Sequence, residues 1–341
     1  MSTHAYTVES SAARVERQGG VRVDVTADQL PILDGMALAT LRLDAGAVRE
    51  PHWHPNAAEL SYCLEGSASM TIVESGGKRV TMSVEAGDLA FVPPGLIHHI
   101  ENTAARVTRF VVCFSNERYE DLNLSTAMSQ MPPPVLDSAF GVGAGTFDWV
   151  RPVGDPAFIA RTGSAEASRL NDPTVHYRCR LEHLEPALKN AGGSVIFGRA
   201  DDFPVLDGLA MYSLRMNGEA VREPHWHPNA AELNYVIEGS VRLTIVSPGG
   251  GVETVDLDAG DISYIPKAYF HHIETLGDGP AHLAVFFDHE QPGDNGISAA
   301  LSAYSDPVLS AVFGTPPGTF DAVPDFEEDV LLGPGAESGK P

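Results

Sequence analysis

The sequence AVREPHWHPNAAEL at residues 47–60 returns unchanged at residues 220–233, an offset of 173 positions. Each copy carries two histidines at i and i+2, and a β-strand directs such residues to the same face, so both imidazoles reach one point. The Pro-Asn step that follows turns the chain and brings a glutamate back on the next strand. We therefore predict one metal site per copy. The ligands from this stretch are His52, His54 and Glu59, and His225, His227 and Glu232.

The repeat extends well beyond this stretch. Residues 31–150 align with residues 204–323 at the same offset without an insertion. Runs of alternating apolar residues separated by Gly-rich turns are typical of an antiparallel sandwich or barrel. We predict an all-β fold with short helices only at the end of each copy. There Asp306 is expected to cap a helix that Gly314 closes, and residues 134–141 to repeat the arrangement.

The predicted domain organisation follows the repeat. We expect an N-terminal arm at residues 1–20, a first domain at 21–150, a linker at 151–170, and a second domain with a C-terminal tail at 171–341.

Composition restricts the class of protein. A chain of 341 residues with 43% apolar and 20% charged residues is an ordinary globular protein. Its net charge of −24 argues against nucleic-acid and anionic-membrane partners, because both need basic surfaces. The N-terminus lacks the apolar centre of a secretory signal, so we expect a cytoplasmic location. Three cysteines are too few and too unevenly placed in the repeat for a disulfide framework, and we expect free thiols.

A third histidine completes each predicted site. His98 and His271 follow turn sequences at equivalent positions of the two copies. Three imidazoles and one carboxylate in an octahedral ion leave two positions open, and such a set accepts Mn(II), Fe(II), Co, Ni, Cu or Zn. The lack of cysteine ligands argues against a closed structural zinc site. His99 and His272 follow these ligands directly and are expected to face the opposite side of the strand.

These motifs resemble those of a known family. The patterns HxH-x4-E-x6-G and G-x5-P-x-G-x2-H-x3-N are similar to the two cupin motifs, and the first copy fits through Asn102. The second copy departs from them with Ala268 and Thr275. The duplicated arrangement is most similar to bacterial oxalate decarboxylases. The resemblance implies two tandem cupin barrels of the jelly-roll or double-stranded β-helix type, Mn(II) as the metal, and a homo-oligomer, a trimer or a hexamer.

In that family an arginine three residues before the first histidine holds the substrate carboxylate, and the matching residues are Arg49 and Arg222. An arginine at i−3 has the wrong strand parity to face inward, so it needs a bend at Glu50-Pro51 or Glu223-Pro224. The alternative is a surface arginine paired with a carboxylate.

The family also uses a glutamate on a mobile lid after the first domain. The corresponding stretch here is NERYEDLNLS at residues 116–125, where Asp121 and the adjacent Glu120 are candidate general acids. The alternative for either residue is a solvated loop acid or a helix cap. The family carries a further glutamate in its second domain, where this chain has Val285. We therefore expect the chemistry in the first copy.

The function that these features predict is metal-dependent decarboxylation of oxalate or a similar small carboxylate, with dioxygen as a further reactant. Oxidation of the carboxylate, as in an oxalate oxidase or dioxygenase, is the nearest alternative. A non-catalytic metal-binding bicupin is a second alternative. Leu60 and Leu233, where decarboxylases carry tryptophan, leave open a larger substrate.

Overall fold

The computed structural model describes residues 2–154, 156–162, 176–327 and 329–334. Contacts divide the chain into two compact units. The first unit is Ser11–Arg180, and the second is Met1–Ser10 together with Leu181–Pro341.

Nearly all regular structure in the described residues is β-strand. Strand β1 is Ala5–Thr7 and belongs to the second unit. The strands of the first unit are β2 (Arg14–Arg17), β3 (Gly20–Val25), β4 (Ala37–Leu43), β5 (Ala47–Trp53), β6 (Glu59–Glu65), β7 (Ser67–Val73), β8 (Arg79–Glu85), β9 (Leu89–Val92), β10 (Ile97–Glu101), β11 (Thr108–Phe114), β12 (Leu122–Asn123), β13 (Ile159–Arg161) and β14 (Arg178–Cys179). The remaining strands of the second unit are β15 (Leu188–Asn190), β16 (Gly193–Gly198), β17 (Ala210–Met216), β18 (Val221–Trp226), β19 (Glu232–Glu238), β20 (Ser240–Val246), β21 (Val252–Asp258), β22 (Asp261–Ile265), β23 (Phe270–Thr275), β24 (Ala281–Phe287), β25 (Asn295–Gly296) and β26 (Leu332–Gly333).

Each unit is built from two antiparallel sheets with the same strand order. In the first unit the orders are β14-β9-β6-β11-β4-β3-β2 and β12-β5-β10-β7-β8, with β13 also paired to β5. In the second unit they are β1-β22-β19-β24-β17-β16-β15 and β21-β20-β23-β18-β25, with β26 paired to β18. The predicted all-β fold with short helices at the end of each repeat is confirmed.

Strands differ in how much of their length is buried, as a central and an edge strand of the second unit show. All seven residues of β24 (AHLAVFF) are buried, which is the pattern of a strand covered on both sides. The edge strand β21 (VETVDLD) instead alternates between exposed and half-buried residues along most of its length.

The hairpin joining β6 to β7 needs glycine. Gly66 has φ +79°, and a Cβ added there would lie 2.6 Å from the carbonyl oxygen of Val107. Gly239 has φ +80° at the equivalent hairpin, where a Cβ would lie 2.3 Å from the carbonyl oxygen of Pro280. Both a left-handed backbone and close backbone packing thus require glycine.

The helices occupy the ends of the two repeats. They are α1 (Leu124–Ser129), α2 (Pro133–Phe140), α3 (Ile297–Ser302) and α4 (Asp306–Phe313), with short 3₁₀ turns at Val8–Ser10, Leu181–His183 and Thr319–Ala322. Gly314 closes α4 with φ +66°, as predicted. The prediction that Asp306 is the N-cap was wrong. Ser305 holds that position, and the Asp306 carboxylate instead accepts hydrogen bonds from the backbone N–H groups of Gly318 and Phe320.

The first residues of the chain contribute to the second unit. Strand β1 pairs with β22, and β14 pairs with β9 at the equivalent edge of the first unit. The contact units therefore divide near residues 10 and 180. The domain boundaries predicted from the repeat, at residues 20, 150 and 170, stay a prediction. None of the helices in the described ranges has the length and apolar character needed to cross a bilayer.

Candidate metal centres

The four residues predicted as ligands in the first copy converge at one point. His52 lies on β5, Glu59 begins β6, His98 lies on β10, and His54 follows the end of β5. One candidate ligand atom from each lies within 4.8 Å of the others, and all four residues are buried. The second copy brings together the equivalent set of His225, His227, Glu232 and His271 within the same limit.

Backbone carbonyls fix the tautomer of every histidine in these two sets. A carbonyl oxygen can only accept, so each Nδ1 carries the proton and each Nε2 presents a lone pair toward the centre. The six Nδ1–carbonyl distances are 2.8 Å for His52–Glu50, 2.9 Å for His54–Glu120, 3.0 Å for His98–Leu96, 2.7 Å for His225–Glu223, 2.7 Å for His227–Gly293 and 2.9 Å for His271–Tyr269.

The glutamates are oriented in the same way in both sets. Oε1 of Glu59 accepts a hydrogen bond from Ser61 Oγ at 2.8 Å, and Oε2 lies 3.0 Å from His54 Nε2 and 3.2 Å from His98 Nε2. In the second copy Asn234 Nδ2 donates to Glu232 Oε1 at 2.7 Å. A carboxylate oxygen facing imidazole lone pairs is repulsive unless a cation lies among them. The donor set therefore fits a divalent metal ion.

Burial and charge favour the protonation states that metal ligands need. Burial lowers the pKa of His52 well below its ordinary value, and the positive charge of Arg49 lowers it further. Burial alone would raise the pKa of Glu59, but His98 and His54, when protonated at Nε2, hold it well below its usual range through the charge of His98 and through hydrogen bonds from both. Neutral imidazoles and an ionised carboxylate are the forms that bind a metal.

In the second set, the pKa shifts of a histidine and of the glutamate both favour a positive charge between them. Burial would lower the pKa of His227, but its hydrogen bond with Glu232 raises it. The pKa of Glu232 itself is held well below its usual range, against the effect of burial, by His271 and His227. The carboxylate thus keeps one positive charge beside it, either a proton or a metal.

A β-bulge turns Arg49 toward the site. In the pairing of β10 with β5, His98 lies opposite His52, whereas Ile100 lies opposite Arg49, so β5 has one extra residue at Glu50-Pro51. The same shift lies between Arg222 and His225 in the second copy. The bend predicted from strand parity is therefore present in both copies. Arg49 is 1% exposed, which excludes the alternative of a surface arginine.

Arg49 is only partly satisfied by its neighbours. Its Nη1 donates to Asn123 Oδ1 at 2.7 Å and to the carbonyl oxygen of Phe158 at 3.3 Å, and the Phe158 ring lies 3.8 Å from the guanidinium carbon. Within the described residues, Nε and Nη2 have no hydrogen-bond partner. Nη2 does approach Asp121 Oδ2 at 3.2 Å, an ion pair without hydrogen-bond geometry. Two donors of a buried guanidinium are thus available for an anion.

The two lid acids lie in different environments. Glu120 is exposed, and only its carbonyl oxygen contacts the metal site, through His54. The Asp121 side chain points inward, with Oδ1 3.1 Å from His54 Nδ1. Burial would raise the pKa of Asp121, but the charges of Arg22 and Arg49 lower it below its ordinary value. Asp121 is therefore a carboxylate in this arrangement.

Three residues for which the sequence predicted no role complete this side of the first site. They are Arg22, Asp24 and Tyr119. Arg22 is buried, and its Nε donates to Asp24 Oδ1 at 2.8 Å. Its Nη1 donates to Asp121 Oδ2 at 3.1 Å and its Nη2 to the Tyr119 hydroxyl. Their equivalents in the second copy are Val195, Phe197 and Pro292. This loss of symmetry between the copies is the one signal in the sequence that could have identified them.

The second site has an apolar wall instead of this charged network. Arg222 pairs with Asp294, and the adjoining cavity is small, about 20 Å³. Its lining includes Val195, Phe197, Leu214, Val285 and Leu331 together with the metal-site residues. Val285 thus lies at the site, in the position where the resemblance implies a glutamate. His272, next to the ligand His271, pairs with Glu274 and is 28% exposed, whereas His99 is half-buried.

Comparisons with known proteins agree with this architecture. A family model described as Cupin matches residues 6–146 and 181–316. The oxalate decarboxylase OxdC of Bacillus subtilis (strain 168) is 29% identical over 321 residues, which are 91% of this chain and 82% of that protein. A probable oxalate decarboxylase of Arthroderma benhamiae is 26% identical over 319 residues, 90% of this chain and 77% of that protein. A solved structure of the B. subtilis enzyme, described by its Mn(II) centers, superimposes with a TM-score of 0.88 at 27% identity, covering 98% of this chain and 90% of that one.

Proposed function

The chain belongs to the cupin family, and from that premise we propose that it is a manganese-dependent bicupin enzyme that decarboxylates oxalate or a similar small carboxylate. The observation that carries the proposal is the position of Arg49. Its buried guanidinium has two donors without hydrogen-bond partners among the described residues and lies beside a three-histidine, one-glutamate set. The two oxalate decarboxylase relatives span most of this chain and most of their own length.

We propose Mn(II) as the ion held by each set. The B. subtilis structure is described by its Mn(II) centers, and this chain has two equivalent donor sets. An N3O set leaves open positions for ligands in an octahedral ion. When bound, such an ion would polarise a carboxylate and supply redox chemistry, with dioxygen taking part but not being consumed in the decarboxylation.

The residues of the chain bind and orient the substrate. The Arg49 guanidinium pairs with one carboxylate of the substrate through charge-assisted hydrogen bonds, while the open face of the metal set takes the other end. The net reaction converts the oxalate monoanion to carbon dioxide and formate. The C–C bond breaks, and the carbon that becomes formate takes up a proton.

We propose that this proton comes through the lid acids, Asp121 or Glu120. Asp121 is close to Arg49 and His54 but is ionised, so it must collect a proton before it can donate one. Glu120 is exposed and must move inward with the lid to reach the substrate. Both roles therefore require the segment at residues 116–125 to rearrange during turnover.

Oxidation of the carboxylate is the second candidate, and the ionisation of Asp121 favours it. Without a proton donor at the carbon, dioxygen accepts the electrons, and oxalate yields two carbon dioxide and hydrogen peroxide.

The experiment that separates these reactions measures the products formed from oxalate by the manganese-loaded protein. Decarboxylation predicts one formate per oxalate consumed and little peroxide. Oxidation predicts hydrogen peroxide without formate. Absence of turnover with oxalate and with other small diacids would overturn the enzyme proposal and favour a binding protein.

We also propose a cytoplasmic location and assembly into a trimer or hexamer. All three cysteines are buried and none is paired in a disulfide among the described residues, as expected in a reducing compartment. The helices at the ends of the repeats expose large apolar side chains, which suits contacts between subunits. The exposed residues are Val135, Phe140, Val308, Val312 and Phe313.

A further inference from the structure

Two buried arginines converge on a single carboxylate oxygen in the first site. Oδ2 of Asp121 lies 3.1 Å from Nη1 of Arg22 and 3.2 Å from Nη2 of Arg49. The side chains of Arg22 and Arg49 are 5% and 1% exposed, whereas that of Asp121 is 20% exposed. The Asp121 carboxylate is thus held by two buried cations, and its own side chain is partly exposed.

Aromatic rings fix both guanidinium groups. The Phe158 ring lies 3.8 Å from the guanidinium carbon of Arg49 and 5.4 Å from that of Arg22. Phe114 and Tyr119 lie 5.4 Å and 5.2 Å from the guanidinium carbon of Arg22. Rings at these distances hold a guanidinium in place and exclude water from its faces, which strengthens its pairing with an anion.

Asp121 is one of two aspartates that pair with the two arginines. Arg22 and Arg49 contribute two positive charges, and Asp24 and Asp121 contribute two negative charges. If Asp121 leaves, this group of four loses one negative charge, although Glu50 and Glu59 also act on Arg49, and Nε and Nη2 of Arg49 are already without hydrogen-bond partners among the described residues. Another carboxylate is the group that restores both the charge and the hydrogen bonds.

We propose that Arg22 and Arg49 form a two-arginine clamp for a substrate carboxylate in the first site, and that Asp121 is a tethered competitor that leaves the clamp before the substrate enters it. The inference rests on the proposed function for the identity of the ligand. In the second site Val195 replaces Arg22, so among the described residues Arg222 is the single arginine that pairs with Asp294. The clamp therefore makes the two sites unequal in their affinity for anions, although their ligand sets are alike.

Oxalate binding to the manganese-loaded protein tests the clamp. Isothermal titration is done in an Arg222→Gln background, so that the arginine of the second site does not contribute. Metal content is measured before and after each titration, because free oxalate also binds divalent cations. If Asp121 occupies the clamp nine-tenths of the time, Asp121→Asn lowers the dissociation constant about tenfold.

Two further variants distinguish competition from a general change of charge. Asp24→Asn removes the same charge from the same cluster without vacating the clamp, and we expect it to change the dissociation constant less than about threefold. Adding Arg22→Gln to Asp121→Asn removes one cation of the clamp and reverses the gain. Asp121→Ser replaces Asp121→Asn if the asparagine variant does not fold, as judged by its thermal midpoint.

An unchanged or weaker affinity in both Asp121 variants would overturn the role of Asp121 as a competitor. Equal affinity with and without Arg22 in the Asp121→Asn background would overturn the clamp. Oxalate that binds tightly but is not converted counts against the proposed activity and leaves the clamp standing. Lack of oxalate binding in every variant would overturn both.

Discussion

Single residues decide how the two sites differ, because their ligand sets are the same. Arg49 and Arg222 are equivalent in sequence, yet Arg49 contacts Asn123 and the Phe158 ring, whereas Gly296 and Leu331 occupy those positions around Arg222. The glycine has no side chain to receive a hydrogen bond, and the leucine provides no aromatic face. The arginine of the first site is thus held more firmly for a carboxylate.

Replacing Arg49 is expected to impair catalysis more than replacing its equivalent. Arg49→Gln removes the cation that pairs with the substrate, and leaving a buried charge unpaired costs about 2–5 kcal/mol. We expect kcat/KM for oxalate to fall at least about 30-fold, since each 1.4 kcal/mol is tenfold. Arg222→Gln is the matched control and should lower it less than about threefold. Equal losses in the two variants would contradict the assignment of chemistry to the first site.

His282 makes stability depend on pH away from the metal sites. Burial, together with the positive charge of Arg215, lowers its pKa from 6.5 to about 4, and its Nε2 lies 2.9 Å from Ser213 Oγ. The unfolded chain therefore binds more protons than the folded one between those values. The contribution is fully present above pH 6.5 and is lost as pH falls toward 4, by at most about 3 kcal/mol.

His282→Gln removes this titration while keeping a group that can hydrogen-bond to Ser213. The free energy of unfolding measured by urea denaturation should fall less between pH 7 and pH 4.5 in this variant than in the parent. His272→Gln, at a more exposed histidine, is the control and should follow the parent. A parallel fall in all three proteins would show that His282 is not the group responsible.

At the scale of elements, the bulged strand β5 and the strand β13 that pairs with it position Arg49. Glu50 lies in the bulge and accepts hydrogen bonds from the backbone N–H of Phe158 at 2.6 Å and of Ser125 at 3.3 Å. Phe158 has a left-handed backbone with φ +59°, and Leu331 repeats it at +58° in the second copy. A carboxylate in the bulge thus fastens the strand β13 and the start of α1 beside the arginine.

Glu50→Gln replaces an acceptor oxygen with a donor facing a backbone N–H group. We expect the free energy of unfolding to fall by about 2 kcal/mol, because a buried backbone donor loses its partner. Oxalate affinity should weaken as well, since Phe158 contacts Arg49 directly. Urea unfolding and titration measure the two effects. Glu85→Gln, at an exposed glutamate, should change stability by less than about 0.5 kcal/mol. If both variants match the parent, Glu50 does not fasten this segment.

The main strands and the bulge could be predicted from the sequence, because both leave a local pattern. Alternating apolar residues indicate the strands, and strand parity with a proline at position 51 indicates the bend. Strands β12 and β13 leave no such pattern, because they are two and three residues long and are defined by their pairing with β5. Arg22 and Phe158 likewise reach the site from distant parts of the chain, so no spacing rule connects them to it.

At the scale of the whole molecule, duplication gave two equivalent scaffolds that then diverged at a few positions. The sheets, the bulges and the donor sets repeat at an offset of 173 residues. Asp121 and Asp294 also repeat, but several other residues around the two arginines do not, and these provide charge in the first site and an apolar wall in the second. The central claim is therefore that both sites hold a metal but that the first performs the chemistry.

The most direct test measures metal content and formate production in His52→Ala and His225→Ala, each loaded with manganese. Each variant removes one ligand from one of the two sets, so each should retain about one metal ion per chain. We predict that His52→Ala loses formate production by at least about 100-fold, whereas His225→Ala stays within about threefold of the parent. Retained formate production in His52→Ala together with its loss in His225→Ala would contradict the account.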